Sequence, residues 1–296
     1  MVSARGPSVE EWSGVDVSIA EIEAELHRLR AGVTDEDGRP QQRTSVMTHV
    51  AWVPPEWLDA AERVLEGMRE RHPSRTVILV PRPGEDGEGG IDAELSVRSF
   101  PLGERSVAGE VIELSLRGDR ALAPASLVLP LAISDLPVFL RWRGEPPFGE
   151  TQWDQLVAVA DRVVVDSSEW GELRYAELAE SFERSAVSDI AWARTGSWRV
   201  ELADRWPAIA KQEIAIRGPR AEAALLRGWL ASRLGREVLP PEAGGELAVQ
   251  LDREDVPAPS DGPLTPSDLL SAELDRLARD RVYEAAALAA TSVRQG

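Results

Sequence analysis

The sequence predicts an α/β fold: a mixed, mostly parallel sheet flanked by helices, with a smaller C-terminal α/β unit. Three observations carry this. Val77-Ile78-Leu79-Val80 is an unbroken apolar run, which suits a strand covered on both faces. The preceding stretch places Trp57, Ala61, Val64, Leu65 and Met68 on one helical stripe, so a helix joins two strands in a β-α-β unit. Further on, Ala93, Leu95 and Val97 alternate with polar residues, as do Ile112, Leu114 and Leu116; this is the pattern of antiparallel strands with one wet face.

Residues 1–42 read as an N-terminal helix and polar linker. Ser18-Ile-Ala-Glu21 is a capping box, with a serine to cap the first turn and a glutamate three residues on. Ile19, Ile22, Leu26 and Leu29 then share a face, and 32–42 reads as linker. The main domain is set at 43–200. Thr44 to Val53 is a strand ended by Pro54-Pro55, and proline is tolerated at the start of the helix that follows. His72-Pro73 stops that helix before the apolar run, and Gly84 to Gly90 is an acidic, glycine-rich loop. Leu136 to Trp142 and Val163 to Val165 are strands separated by a helix over Gln152 to Ala160. Leu173, Ala176, Ala179 and Phe182 suggest a further helix from Trp170 to Ala186. The C-terminal unit is set at 201–296. It has a strand at Glu213 to Ile216, a helix at Ala221 to Leu234 closed by Gly235, and a strand at Leu247 to Leu251. One terminal helix opens at Thr265-Pro266 and runs through Leu269, Leu270, Leu274, Leu277, Val282 and Ala286.

Composition narrows the function. The 296 residues are 43% hydrophobic, close to the globular norm, and carry a net charge of −18. Nucleic acid and anionic membrane both call for a basic footprint, so neither is expected as a partner. No cysteine occurs, which excludes disulfides, thiol catalysis and thiolate metal sites. The first 18 residues lack the pattern of a signal peptide and no apolar run suits a membrane span, so a cytoplasmic protein is expected.

No catalytic motif emerges. With Lys211 the only lysine there is no Walker loop, and no nucleophile elbow or zinc-helix motif is present. The acids of the Gly84–Gly90 loop would repel a pyrophosphate. Of the three histidines, His27 reads as a surface residue and His49 as a core residue on a strand. His72 follows a helix, where it could offset the dipole or join Arg75 in contacting an anion or a partner. Asp135, Asp161 and Asp166 sit at strand and helix ends, where aspartate caps backbone or pairs with arginine. In Arg141-Trp142-Arg143, strand alternation sends both arginines to one side, and both residue types are favoured binding anchors. These residues suggest a partner-binding edge made of His72, Arg75, Asp135, Arg141, Trp142, Arg143 and Asp166, with no catalytic residue, metal or cofactor.

The same motifs resemble a known family, the glucose-6-phosphate dehydrogenase assembly protein OpcA. They run in order through Arg71-His-Pro-Ser-Arg75, Gly109-Glu110, Ser134-Asp-Leu-Pro-Val138, Leu140-Arg-Trp-Arg-Gly144 and Asp161-Arg-Val-Val-Val-Asp-Ser167. They continue with Asp189-Ile-Ala-Trp-Ala-Arg194, Leu225-Leu-Arg-Gly-Trp-Leu-Ala-Ser-Arg-Leu234 and Arg281-Val-Tyr-Glu284. The resemblance implies a non-enzymatic partner of glucose-6-phosphate dehydrogenase that promotes its assembly or activates it allosterically, and so supports NADPH production in the oxidative pentose phosphate pathway. Where many relatives carry a cysteine before the glutamate, this chain has Ala108-Gly109, so thiol redox control cannot act through it. The alternative from the residues alone is an enzyme or sugar-phosphate-binding protein using the strand-end cleft.

Overall fold

The computed structural model describes residues 9–33, 45–68, 71–84, 89–102, 105–260, 262 and 264–291. Most of the linker and the centre of the Gly84–Gly90 loop fall outside them. In chain order the elements are β1 (Val9–Gly14), α1 (Ile19–Gly32), β2 (Met47–Trp52), α2 (Leu58–Met68), β3 (Ser74–Arg82), β4 (Ile91–Leu102), β5 (Arg105–Arg117), α3 (Ala125–Leu131), β6 (Val138–Trp142), α4 (Thr151–Val159), β7 (Arg162–Val165), α5 (Tyr175–Ala179), β8 (Ala186–Asp189), α6 (Ile190–Arg194), α7 (Gly196–Ala203), β9 (Ile214–Gly218), α8 (Arg220–Leu234), β10 (Glu242–Ala243), β11 (Ala248–Leu251), β12 (Glu254–Asp255), α9 (Pro266–Leu274) and α10 (Arg281–Thr291). Eight strands form one sheet in the order β1-β4-β5-β3-β2-β6-β7-β8, and four form another in the order β10-β9-β11-β12. The expected α/β class with a mixed, largely parallel sheet and a smaller second sheet is therefore what the chain adopts.

The chain divides into two compact units, residues 1–163 and 164–296. The boundary drawn from sequence at 200/201 lies inside the second. In the first unit β2 runs parallel to β3 and β6, and β3 parallel to β5. Strands β4 and β1 then add antiparallel, as the alternating pattern of β4 and β5 requires. Register fixes the faces. Val50, Val77 and Ile112 stand level, with Trp52, Leu79 and Leu114 two residues on; Trp142 stands level with Trp52. All are buried, and each large apolar side chain contributes roughly 1.5–3 kcal/mol. Trp142 stacks on Trp52 at 4.8 Å between ring centroids and meets Trp153 of α4 edge-on at 5.1 Å. On the opposite face, Ala51, Val53, Ile78 and Val80 receive Ala61 of α2, with Trp57, Leu58 and Leu65 against them.

Ser18 and Glu21 form both halves of the expected capping box at the start of α1. In the second unit α8 ends at Gly235 in the left-handed region with φ of 62°, the conformation glycine adopts without penalty. Gly228 marks a close approach of α8 to α10, because an added Cβ would lie 2.1 Å from the Ala286 carbonyl oxygen.

Three expectations need correction. The helix expected over Trp170 to Ala186 is only Tyr175–Ala179, and Ala186–Asp189 is a strand. The single terminal helix is two, α9 and α10. The Asp280 carboxylate ends the run by accepting the backbone N–H of Val282 and of Tyr283, each at 3.0 Å, and so opens a new helix. The N-terminal segment also contributes β1, which the polar composition of that stretch concealed.

Candidate functional site

Two clusters of buried charge stand out, one in each unit. In the first, Glu110 of β5 is 2% exposed and lies beside Arg75 of β3, which is 6% exposed. Arg75 donates Nε to Glu110 Oε2 at 2.7 Å and Nη1 to the Leu131 carbonyl at the end of α3 at 2.6 Å. Arg30, in the last turn of α1, donates Nη2 to the same Glu110 oxygen at 3.0 Å and pairs its Nε with Oε1. One carboxylate thus ties α1, β3, β5 and the end of α3 together. Glu110 stands in the Gly109-Glu110 motif, to which the sequence alone assigns no role. The signal was there: Glu110 has the inward parity of Ile112 and Leu114, so its charge had to find buried partners.

The expected partner-binding residues do not form one edge. Arg75 stands level with Thr48 and Val138, at the start of the parallel strands, and His72 and Asp135 lie at that same end. Arg141 stands level with Ala51, and Arg143 follows the last residue of β6 at the opposite end. Strand-flanking motifs carry no strand direction, and parallel strands put all their starts at one end of the sheet and all their finishes at the other. Burial adds a second correction. His72, Arg75, Arg141 and Trp142 are each 8% exposed or less. Arg141 donates to the Trp142 carbonyl, and the Arg143 guanidinium lies 4.6 Å over the Trp57 ring. Asp135 is exposed, with a left-handed φ of 66°. Asp161 accepts the Val138 N–H at 2.8 Å, the backbone role expected of it. His49 is a core histidine: burial, then the charges of Arg141 and His72, lower its pKa to about 4, so it is neutral near pH 7.

The second cluster surrounds Arg194 of α6. Asp166 receives both of its Nη groups, at 3.1 and 2.8 Å, and Glu222 of α8 accepts from Nη1 at 3.2 Å. Asp166 also accepts the Ser168 hydroxyl at 2.6 Å and caps the short turn at 167–169. Asp189, fully buried, caps α6 through the Ala191 N–H at 2.8 Å and takes the Ser167 N–H at 3.0 Å. Burial, reinforced by repulsion from Asp166, raises its pKa to about 7 against the pull of those hydrogen bonds. Tyr175 meets Ser167 at 2.9 Å, and its hydroxyl titrates well above the ordinary range because it is buried. Nearby, Arg199 lies 3.5 Å over the ring of Trp192, whose Nε1 donates to Asp280 at 3.0 Å. Among the described residues no group of three or more histidine, aspartate or glutamate side chains is placed to hold a metal ion.

This defines an α/β protein whose charged motif residues serve largely as buried structural charge. The family model described as the glucose-6-phosphate dehydrogenase subunit N-terminal domain matches residues 66–180, which holds Arg75, Glu110, Arg141 and Asp166. Proteins named as OxPP cycle protein OpcA are similar as well. The one from Nostoc punctiforme is 30% identical over 192 residues, 58% of this chain and 40% of its own length. The one from Synechocystis is 28% identical over 182 residues, 55% of this chain and 37% of its own. The one from Synechococcus elongatus is 25% identical over 184 residues, covering 56% and 40%. These matches bear out the resemblance to the OpcA family, and the matched stretch spans about two fifths of each relative.

Proposed function

We propose that this chain is a non-enzymatic partner of glucose-6-phosphate dehydrogenase in the cytoplasm. In this reading it promotes the enzyme's assembly into the active oligomer, or activates it, in support of the oxidative pentose phosphate pathway. The observation that carries the reading is the match of residues 66–180 to a dehydrogenase-subunit family model. The internal pairing of Arg75 with Glu110 and of Asp166 with Arg194 supports it, because groups held in that way are not poised as acid, base or nucleophile. No described helix is long and apolar enough to cross a membrane.

Charge suggests how the partner is met. Beside α2, the face of β1, β4 and β5 forms a groove of about 730 Å³ lined by Glu11, Glu62, Glu66, Glu94 and Glu113, with Arg63 and Arg98 among them. Glu94 stands directly opposite Glu113 across the β4–β5 pair, and like charges so placed repel. Burial, then Glu94 and Glu62, raises the Glu113 pKa to about 7. A basic patch on the dehydrogenase would relieve that repulsion. The test is a titration of the cognate dehydrogenase with this chain, followed by turnover. Turnover should rise to a plateau at a fixed ratio, while this chain alone turns over nothing. An unchanged rate across the titration would overturn the reading.

A further inference from the structure

The second unit contains a β-α-β unit of its own. Strand β9 leads through Gly218-Pro219 into α8, and β10 returns parallel to β9 with Ala243 opposite Gly218. A cavity of about 560 Å³ opens at the carboxyl ends of these two strands. Open α/β arrangements place ligands at that position.

Three features there favour an anion. Helix α8 is 15 residues long, and its N-cap, Pro219, supplies no side-chain hydrogen bond, so the positive end of the helix faces the cavity without a side-chain cap. Arg220, the first residue of α8, lies on the cavity wall and donates Nη2 to the Trp170 carbonyl at 2.8 Å, which fixes its position. Arg227, two turns further along, lines the same cavity and is only 4% exposed. Among the described residues it makes a single hydrogen bond, from Nε to the Val238 carbonyl at 2.8 Å, and no carboxylate stands within ion-pair distance of it. Glu237 acts on it only from longer range, and burial holds its pKa below the usual arginine value. A buried guanidinium without a counter-ion is costly, and a bound anion removes that cost.

The rest of the cavity describes the remainder of the ligand. At 560 Å³ it holds far more than a phosphate ion and falls in the range of metabolite sites. Glu172 and Glu242 are exposed on its lining and can only accept hydrogen bonds, which suits hydroxyl groups. We infer that this cavity binds a phosphate monoester of a small polyhydroxylated molecule, with the phosphoryl group against Arg227, Arg220 and the start of α8 and the hydroxyls toward Glu172 and Glu242. This site stands apart from the partner reading and does not depend on it.

The test is isothermal titration of the full chain with three probes: a sugar phosphate, the same sugar without phosphate, and inorganic phosphate. The sugar phosphate should bind saturably, inorganic phosphate more weakly, and the free sugar not at all. Arg227→Gln and Arg220→Gln should each weaken sugar-phosphate binding about tenfold, as loss of a charge-assisted hydrogen bond does. Glu242→Gln should alter sugar-phosphate binding and leave inorganic phosphate alone. Because Arg220 is exposed, R220Q keeps the test decisive even if R227Q fails to fold. Absence of saturable sugar-phosphate binding, or wild-type affinity in folded R220Q and R227Q, would overturn the proposal. Equal affinity for inorganic phosphate and sugar phosphate would overturn the hydroxyl-recognition half of it.

Discussion

The two buried charge clusters solve opposite problems. Around Glu110, one carboxylate is held by two arginines, Arg75 and Arg30. Around Arg194, one arginine serves two carboxylates, Asp166 and Glu222, with Asp189 buried close enough to Asp166 to feel its charge. Among the described residues, the first cluster sets two arginines on one carboxylate. In the second, burial and then the charge of Asp166 let Asp189 hold its proton up to about pH 7. Similar buried chemistry therefore joins four elements in one unit and brings a carboxyl to near-neutral titration in the other.

Mutation should separate the two most sharply at Glu110. Glu110→Ala removes the buried carboxylate that Arg75 and Arg30 share and should cost about 3–5 kcal/mol of unfolding free energy, read by urea denaturation. An Arg75→Met, Glu110→Leu double variant should lose less than the two single changes summed, because the two charges are coupled and are removed together. In the second cluster, Asp166→Asn should cost about 1–3 kcal/mol, since Arg194 is partly exposed and retains Glu222. Equal losses at the two sites would break the contrast.

The pH profile sharpens it further. With its folded pKa raised from 3.8 to about 7, Asp189 binds its proton more readily in the folded state. Its contribution is present below about pH 4 and is lost as pH rises to about 7. Thermal melts of Asp189→Asn against the natural chain should thus diverge steadily across that window and run parallel above it. His49 has the opposite sign. Its folded pKa is lowered from 6.5 to about 4, so its contribution is complete above pH 6.5 and is lost as pH falls toward 4. In His49→Gln that acid loss should disappear, a smaller effect than at Asp189 because the His49 shift is the smaller of the two. A D189N profile parallel to the natural chain from pH 4 to 7 would remove Asp189 from the account.

Sequence reading succeeded where one physical signal dominated. The apolar run of β3, the stripe of α2 and the Ser18 capping box each state a local structure that tertiary packing then keeps. It failed where two signals overlapped. Leu173, Ala176, Ala179 and Phe182 carry helical spacing, yet the chain turns after Ala179 and Ala186–Asp189 joins the large sheet, a long-range pairing that no local pattern announces. The break before α10 was legible in principle, since aspartate is a favoured N-cap residue and Asp280 caps the N–H groups of Val282 and Tyr283. The apolar periodicity through Leu277 masked it. The candidate residues were identified as charged and strand-flanking, but their assembly was not legible. Which end of a sheet a residue occupies depends on strand direction, and direction emerges only from pairing.

The claim at the centre of this account is a physical complex with glucose-6-phosphate dehydrogenase, carried by a chain of net charge −18. Light scattering on a size-exclusion column tests it most directly, with the cognate dehydrogenase run alone and mixed with this chain at low and at high salt. The account predicts a co-migrating species of larger mass at low salt that diminishes as salt rises and the Debye length falls below ~8 Å. Two components eluting at their separate masses at every salt concentration would contradict it.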